Sequence, residues 1–196
     1  LKSLGISYAF YRGPYISAIR DVLDTTRKTI VHIPHRGSAE AYADKYKEVG
    51  DIIDAIGAHV GQDPETGLDL VRCDDGRVLK IADLVDDGEG RNAVKSFLQR
   101  EIAGPDGTRD DAADRAKVDI IIALGMAKEG FDWPWCEHAL TIGYRNSLTE
   151  IVQIIGRATR DAPGKPHAQF TNLVAEPGVE TTVVADTVND MLKAIS

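Results

Sequence analysis

Cysteine is scarce in this chain. Cys73 and Cys136 are the only two, they lie far apart, and neither belongs to a CxxC pair or a Cys/His cluster. A disulfide framework is therefore excluded and a zinc site disfavoured. The expected setting is a reducing cytoplasm, with both thiols acting as small buried hydrophobes. Long apolar runs are missing as well. No stretch reaches the roughly 18 apolar residues of a membrane span, and no charged segment followed by a short apolar stretch marks a signal peptide. Positive charge is in deficit: 23 Lys and Arg face 31 Asp and Glu, for a net charge of −8. Such a chain does not hold nucleic acid by bulk attraction, although a local basic groove is compatible with it. Repeats and low-complexity tracts are absent. What is left, 196 residues of which 43% are hydrophobic, reads as one globular domain of ordinary size. The Leu1 start, in place of Met, suggests a piece cut from a longer chain.

Short apolar runs alternate with helical patterns. Residues 29–33 read as a strand closed by Pro34, and 38–56 as a long helix that Ser38 can cap. Two apolar stretches, 70–73 and 78–81, flank Asp74-Asp-Gly-Arg77 and predict a hairpin around an Asp-Gly turn. Residues 91–102 return to a helical period, and 103–115 read as a loop with a short helical piece. Residues 118–124 are nearly all apolar, as in a strand buried on both faces of a parallel sheet. A strand over 138–144, a helix, a strand over 168–174 and a closing helix over 181–195 complete the chain. Strands alternating with helices predict an α/β sheet covered on both faces. Ligands of such sheets gather at the carboxyl ends of the strands, so the interesting residues are expected just after strands.

Two stretches could carry chemistry. Gly125-Met-Ala-Lys-Glu-Gly-Phe-Asp132 follows the 118–124 strand. Gly130 permits close backbone approach, and Asp132 offers an acceptor-only carboxylate for ribose hydroxyls or an arginine. The other stretch is Gln153-Ile-Ile-Gly-Arg-Ala-Thr-Arg160. Gln153, Gly156, Arg157 and Arg160 recur at helical spacing on one face, opposite Ile151, Ile154, Ile155 and Ala158. Neither arginine has an acid four residues before it, so local ion pairing does not explain the charges. Two rigid guanidinium forks on one turn suit the phosphates of a nucleoside triphosphate. Other residues read as structural: His32 as core, Trp133 and Trp135 as loop packing rather than base stacking, and Asp83, Asp86 and Asp87 as a solvated acidic face.

In order and spacing, these stretches resemble the motifs of the second RecA-like domain of a superfamily 2 helicase of the DEAD/DEAH type. His32-Ile-Pro-His-Arg36 resembles motif IV, the Glu-Gly-Phe-Asp132 stretch motif V, and Gln153 to Arg160 the QxxGRxxR pattern of motif VI. The resemblance covers about residues 28–175. It implies a three-layer α/β/α, P-loop NTPase-like domain with a mostly parallel sheet, here with a β-hairpin inserted at about 66–85. It also implies roles. Arg160 would be the arginine finger on the γ-phosphate, with Arg157 beside it and Gln153 on the γ-phosphate or attacking water. Gly130, Asp132 and Gly156 would line the nucleotide. At the other end of the domain, Pro34, His35, Arg36 and the amides around Leu124 and Gly125 would contact nucleic-acid phosphates. Many relatives carry a threonine in motif V where Leu124 stands here, so one hydroxyl contact is lost.

A motor of this class also needs a Walker A loop, GxxxxGK[ST], and an acidic motif for magnesium. Neither is present. ATP with Mg2+ would then be held mainly by an N-terminal RecA-like domain of the same chain, and this domain would complete the site in trans. The expected partners are that domain and nucleic acid, DNA ahead of RNA, with no membrane. Three functions fit: the motor lobe of a helicase, the same lobe of a double-strand translocase, or a non-catalytic interaction module. Internal acids that tie up Arg157 and Arg160 would favour the last. For either motor, both forks should lie near Asp132 and at the carboxyl edge of the sheet.

Overall fold

The computed structural model describes residues 2–34, 42–85, 89–124, 132–143 and 148–176. Eight strands form one sheet in the order β1-β8-β7-β2-β6-β5-β4-β3. They are β1 (Ser3–Tyr11), β2 (Thr29–Ile33), β3 (Ala58–Gln62), β4 (Asp69–Arg72), β5 (Val78–Leu84), β6 (Ile120–Leu124), β7 (His138–Ile142) and β8 (His167–Ala175). From β1 to β5 in that order every neighbouring pair is parallel; β4 and β3 then add antiparallel to the end. The helices are α1 (Tyr15–Val22), α2 (Lys45–Ile56), α3 (Glu89–Gln99), α4 (Asp111–Arg115) and α5 (Leu148–Ala158). The α/β class with a mostly parallel sheet, consistent with a RecA-like domain, is thus the observed architecture.

Strand alternation explains why the central runs are apolar throughout. Val31, Ile33, Ile120, Ile122, Leu140 and Ile142 face one side, where they pack with Tyr15 and Ile19 of α1 and Val49, Ile52 and Ile53 of α2. Ile30, Ile121 and Ala139 face the other, where they meet Val94 and Leu98 of α3 and Ile151, Ile154, Ile155 and Ala158 of α5. Each central strand is sandwiched between two helix layers, so both of its faces are mostly apolar, and its few polar side chains, such as Thr141 and His138, find hydrogen-bond partners inside. Trp133 and Trp135 belong to the second cluster, at 6% and 2% exposure, and His32 is buried in β2. Both cysteines are free and buried; burial pushes the Cys136 thiol up to about 12.

Several sequence expectations shift. The hairpin forms where expected, with Gly76 at a φ of 86° supplying the left-handed turn residue. It extends the edge of the sheet. β5 pairs parallel with β6, and β4 and β3 extend the same sheet. Strand β3 follows α2 directly, and it is mostly exposed, so its sequence carries no apolar alternation to announce it. Strand β1, although only partly buried, does alternate: Leu4, Ile6 and Tyr8 pack on the second cluster, and it is not among the strands expected above. Helix α2 is capped by Asp44, whose carboxylate accepts from the amides of Tyr46 and Lys47 at 3.0 and 3.2 Å. The expected cap Ser38 lies outside the described residues, as do Asp86, Asp87 and the closing helix over 181–195. Asp83 is not a solvated acid: it accepts from Arg91 and from the Val85 amide.

Candidate functional site

Helix α5 leaves the carboxyl end of β7. Its 11 residues run about 16 Å, close to the roughly 17 Å of a five-residue strand. The chain is therefore carried back to the amino-terminal edge before β8 begins. The amphipathic spacing does its expected work: Ile151, Ile154, Ile155 and Ala158 are buried, while Val152, Gln153 and Gly156 are exposed and Arg157 is half-buried. One expectation fails at the end of this helix. Arg160 does not continue the helical face, because the helix stops at Ala158. Thr159 caps it, its amide bonding Ile155 O at 2.9 Å and its hydroxyl Gly156 O at 3.2 Å. Pro163 and Gly164 ahead cannot sustain another turn.

Arg160 turns instead onto Asp132. Its Nη1 lies 3.0 Å from the Asp132 Oδ2, and the two side chains are 56% and 50% exposed. Leu124 closes β6 at its carboxyl end, and Asp132 stands ahead of the amino end of β7, with β2 between those two strands in the sheet. The approach to β7 is fixed by main-chain bonds. The Glu137 amide donates to Lys28 O at 2.7 Å, and Lys28 N donates back to the Glu137 carboxylate at 2.9 Å. The pair is therefore at the amino edge of the sheet and not at the carboxyl edge, where strand-end reasoning placed it. The physical reason is one of length: Asp132 comes well after the end of β6, and Arg160 follows the whole of α5 after β7, so both stand near the start of the next strand instead of the end of the last.

Behind Asp132 the domain is closely knit. A cleft of roughly 320 Å³ opens between Asp132, Trp133, Pro134 and Trp135 on one side and Arg109, Asp114 and Lys117 on the other. The Asp114 carboxylate accepts from Lys117, Arg109 and the Trp135 indole, at 2.6, 2.6 and 3.1 Å. Burial alone would raise its pKa, but these three donors hold it below the usual carboxylate range. Arg109 also lies over the Trp135 ring, 5.8 Å from its centroid. The polar groups here satisfy one another, so the cleft is a stiff wall for Asp132. Arg109, Asp114 and Lys117 do not stand out in the sequence, because their spacing is irregular and only the fold gathers them against Asp132 and the tryptophans.

At the opposite, carboxyl edge, Leu124 and Pro34 end the paired strands β6 and β2; Ile33 and Leu124 are in register. Pro34 is buried, has no amide proton, and its carbonyl accepts from Lys45 Nζ at 3.0 Å. Its part at that edge is therefore positional. His35, Arg36, Gly125 and Gly130 lie outside the described residues. The structure thus brings Asp132 and Arg160 together, with Gln153, Gly156 and Arg157 on the adjoining helix, and it separates them from Pro34 and Leu124 by the length of the strands.

No protein-family model matches the chain. Among curated proteins it is 59% identical, over 197 residues, to "Putative ATP-dependent helicase YeeB" of Bacillus subtilis (strain 168). The match takes in this whole chain. It spans 31% of the length of that relative. The similarity is thus to one segment of a longer protein named as a helicase. Among the described residues, no helix is long and apolar enough to cross a membrane.

Proposed function

We propose that this domain is the C-terminal motor lobe of an ATP-dependent nucleic-acid helicase of superfamily 2, supplying Arg160 to a triphosphate held mainly by a second RecA-like lobe. Of the two conditions set for a motor, the carboxyl-edge one is not met, since the pair lies at the amino edge. The observation that carries this reading is the other, the half-open pairing of Arg160 with Asp132. An exposed ion pair of this kind contributes at most about 1 kcal/mol. Arg160 can leave Asp132 for a γ-phosphate at little cost, and its fork then stabilises the charge that develops as the phosphoryl group departs. Asp132, once released, is an acceptor beside the nucleotide. Asp132 is an internal acid on Arg160, which is the feature expected of an interaction module; the half exposure of both members favours the motor instead, because so open a pair is readily exchanged for a phosphate. Among the described residues, no group of three or more His, Cys, Asp or Glu is placed to hold a metal. In this reading the residues present fit the phosphate end of ATP, and Mg2+ belongs to the other lobe.

Gly156 supports the same docking surface. It sits inside α5, where glycine costs about 1 kcal/mol relative to alanine. A Cβ added there would meet nothing within 4 Å. Among the described residues nothing requires the glycine, and in this reading the other lobe approaches there, against the exposed Val152–Gln153–Gly156 face. Gly156→Ala should therefore stabilise the isolated domain by roughly 0.5–1 kcal/mol, read as a slightly higher melting temperature. In the full-length protein the same change should lower nucleic-acid-stimulated ATP turnover. Unaltered turnover would remove this surface from the catalytic interface.

The direct test compares two chains. The full-length protein should hydrolyse ATP in the presence of nucleic acid, and the present domain alone should not. Hydrolysis by the domain alone would overturn the composite-site reading. A strand-displacement assay on the full-length protein, with DNA and RNA duplexes, then separates a helicase from a double-strand translocase that turns over ATP without unwinding.

A further inference from the structure

Lys165 lies in the Pro163-Gly-Lys-Pro166 turn between α5 and β8, a place where a lysine ordinarily reaches water. Here it is 3% exposed. Its ammonium donates to two backbone carbonyls, those of Arg160 at 2.7 Å and Pro134 at 2.9 Å. Its amide donates to Ala162 O at 3.2 Å and closes the turn. Removing an ammonium from water is expensive, and both of these acceptors are neutral. Burial accordingly holds its pKa below the usual lysine range. A methionine would fill the same tunnel without that desolvation.

What the amine adds is a link between two chain segments. One carbonyl belongs to Arg160 itself. The other belongs to Pro134, two residues beyond Asp132. The Arg160–Asp132 contact is half exposed and cannot fix its own geometry. The buried crosslink directly beneath it can. We infer that Lys165 is a positioning residue: it clamps the Arg160 backbone to the Asp132–Trp135 segment and so presents the guanidinium fork in the orientation the triphosphate needs. This rests on the reading of Arg160 given above.

The test uses the full-length protein and the variants Lys165→Met, Arg160→Ala and the double replacement. Misplacing a catalytic group by about 1 Å can cost on the order of 100-fold in rate. Lys165→Met should therefore lower kcat for ATP by about 10- to 100-fold, with KM for ATP little changed. Because Lys165 acts through Arg160, the double variant in single-turnover assays should be no slower than Arg160→Ala alone. Wild-type kcat in Lys165→Met, or multiplicative losses in the double variant, would overturn the inference. Should Lys165→Met prove too unstable to assay, Lys165→Gln keeps one donor. An intermediate kcat at unchanged KM then supports the clamp, and a wild-type kcat sinks it. Normal turnover in Arg160→Ala would instead refute the function on which the inference rests, so the two failures are distinguishable.

Discussion

Arg160→Ala in the full-length protein is expected to reduce ATP turnover by about a thousandfold or more, while nucleotide affinity stays nearly unchanged. The split follows from where the charge is needed. In the ground state most of the triphosphate would be held by the other lobe, so one guanidinium less matters little for binding. In the transition state charge builds on the transferred phosphoryl oxygens, and a preorganised fork there is worth most. Arg160→Lys should recover little, because a single ammonium on a flexible stem cannot reproduce the planar two-donor geometry. The surrounding fold should not change, since Arg160 is 56% exposed and, among the described residues, its ion pair is the weak one to Asp132. Equilibrium binding of a non-hydrolysable ATP analogue, measured beside steady-state turnover, decides the matter. A variant that turns over normally would remove Arg160 from catalysis; one that loses binding and turnover together would make it a ground-state anchor.

The second large effect lies at the carboxyl edge and concerns stability. Glu48, fully buried in α2, accepts from Lys45 Nζ at 2.5 Å and from the Tyr15 hydroxyl. Lys45, 5% exposed, also holds the Pro34 carbonyl. Tyr15 stacks edge-on with Tyr11 and Tyr42, and burial, reinforced by Glu48, pushes its pKa above the usual phenol range. Removing one member of such a pair leaves the other charge buried without its partner. Glu48→Leu should therefore destabilise the domain by about 3–5 kcal/mol, lowering the melting temperature by on the order of 10 °C. Replacing both ions with apolar side chains of similar size, Lys45→Met with Glu48→Leu, should restore most of that loss. Chemical denaturation of the single and double variants measures both quantities. A single variant within 1 kcal/mol of the wild type would mean that water reaches the pair and that burial is not what makes it matter. The network also fixes where β2 ends, and with it the strand end that the proposed nucleic-acid contacts share.

How much of this was legible beforehand differs from element to element. The largely apolar runs at 29–33, 118–124 and 138–144 announced the buried strands, since a strand covered on both faces spares few polar positions, such as Thr29, His32, His138 and Thr141. The Asp-Gly turn announced the β4–β5 hairpin. The exposed strand β3 did not announce itself, because a solvated edge strand places little constraint on its residues; β1 carries an alternation at Leu4, Ile6 and Tyr8 and went unassigned nonetheless. At the site, the spacing of Gln153, Gly156 and Arg157 on α5 was legible, whereas the course of the chain after Ala158 was not. Helical periodicity carried Arg160 one turn too far. The fold stops the helix and swings Arg160 to Asp132, and a turn that looks exposed in sequence, Pro-Gly-Lys-Pro, hides the lysine beneath it.

The sequence by itself determined the α/β class, the chemical character of the two motifs and the lack of a Walker A loop, because these depend on residue type and on spacing along a single element. Only the tertiary structure decided that Asp132 and Arg160 meet, that they do so at the amino edge of the sheet, and that Lys165 and Asp114 stand behind them. Such facts depend on where each connection recrosses the sheet. That is set by the matched lengths of helices and strands and by strand order, which no local pattern records.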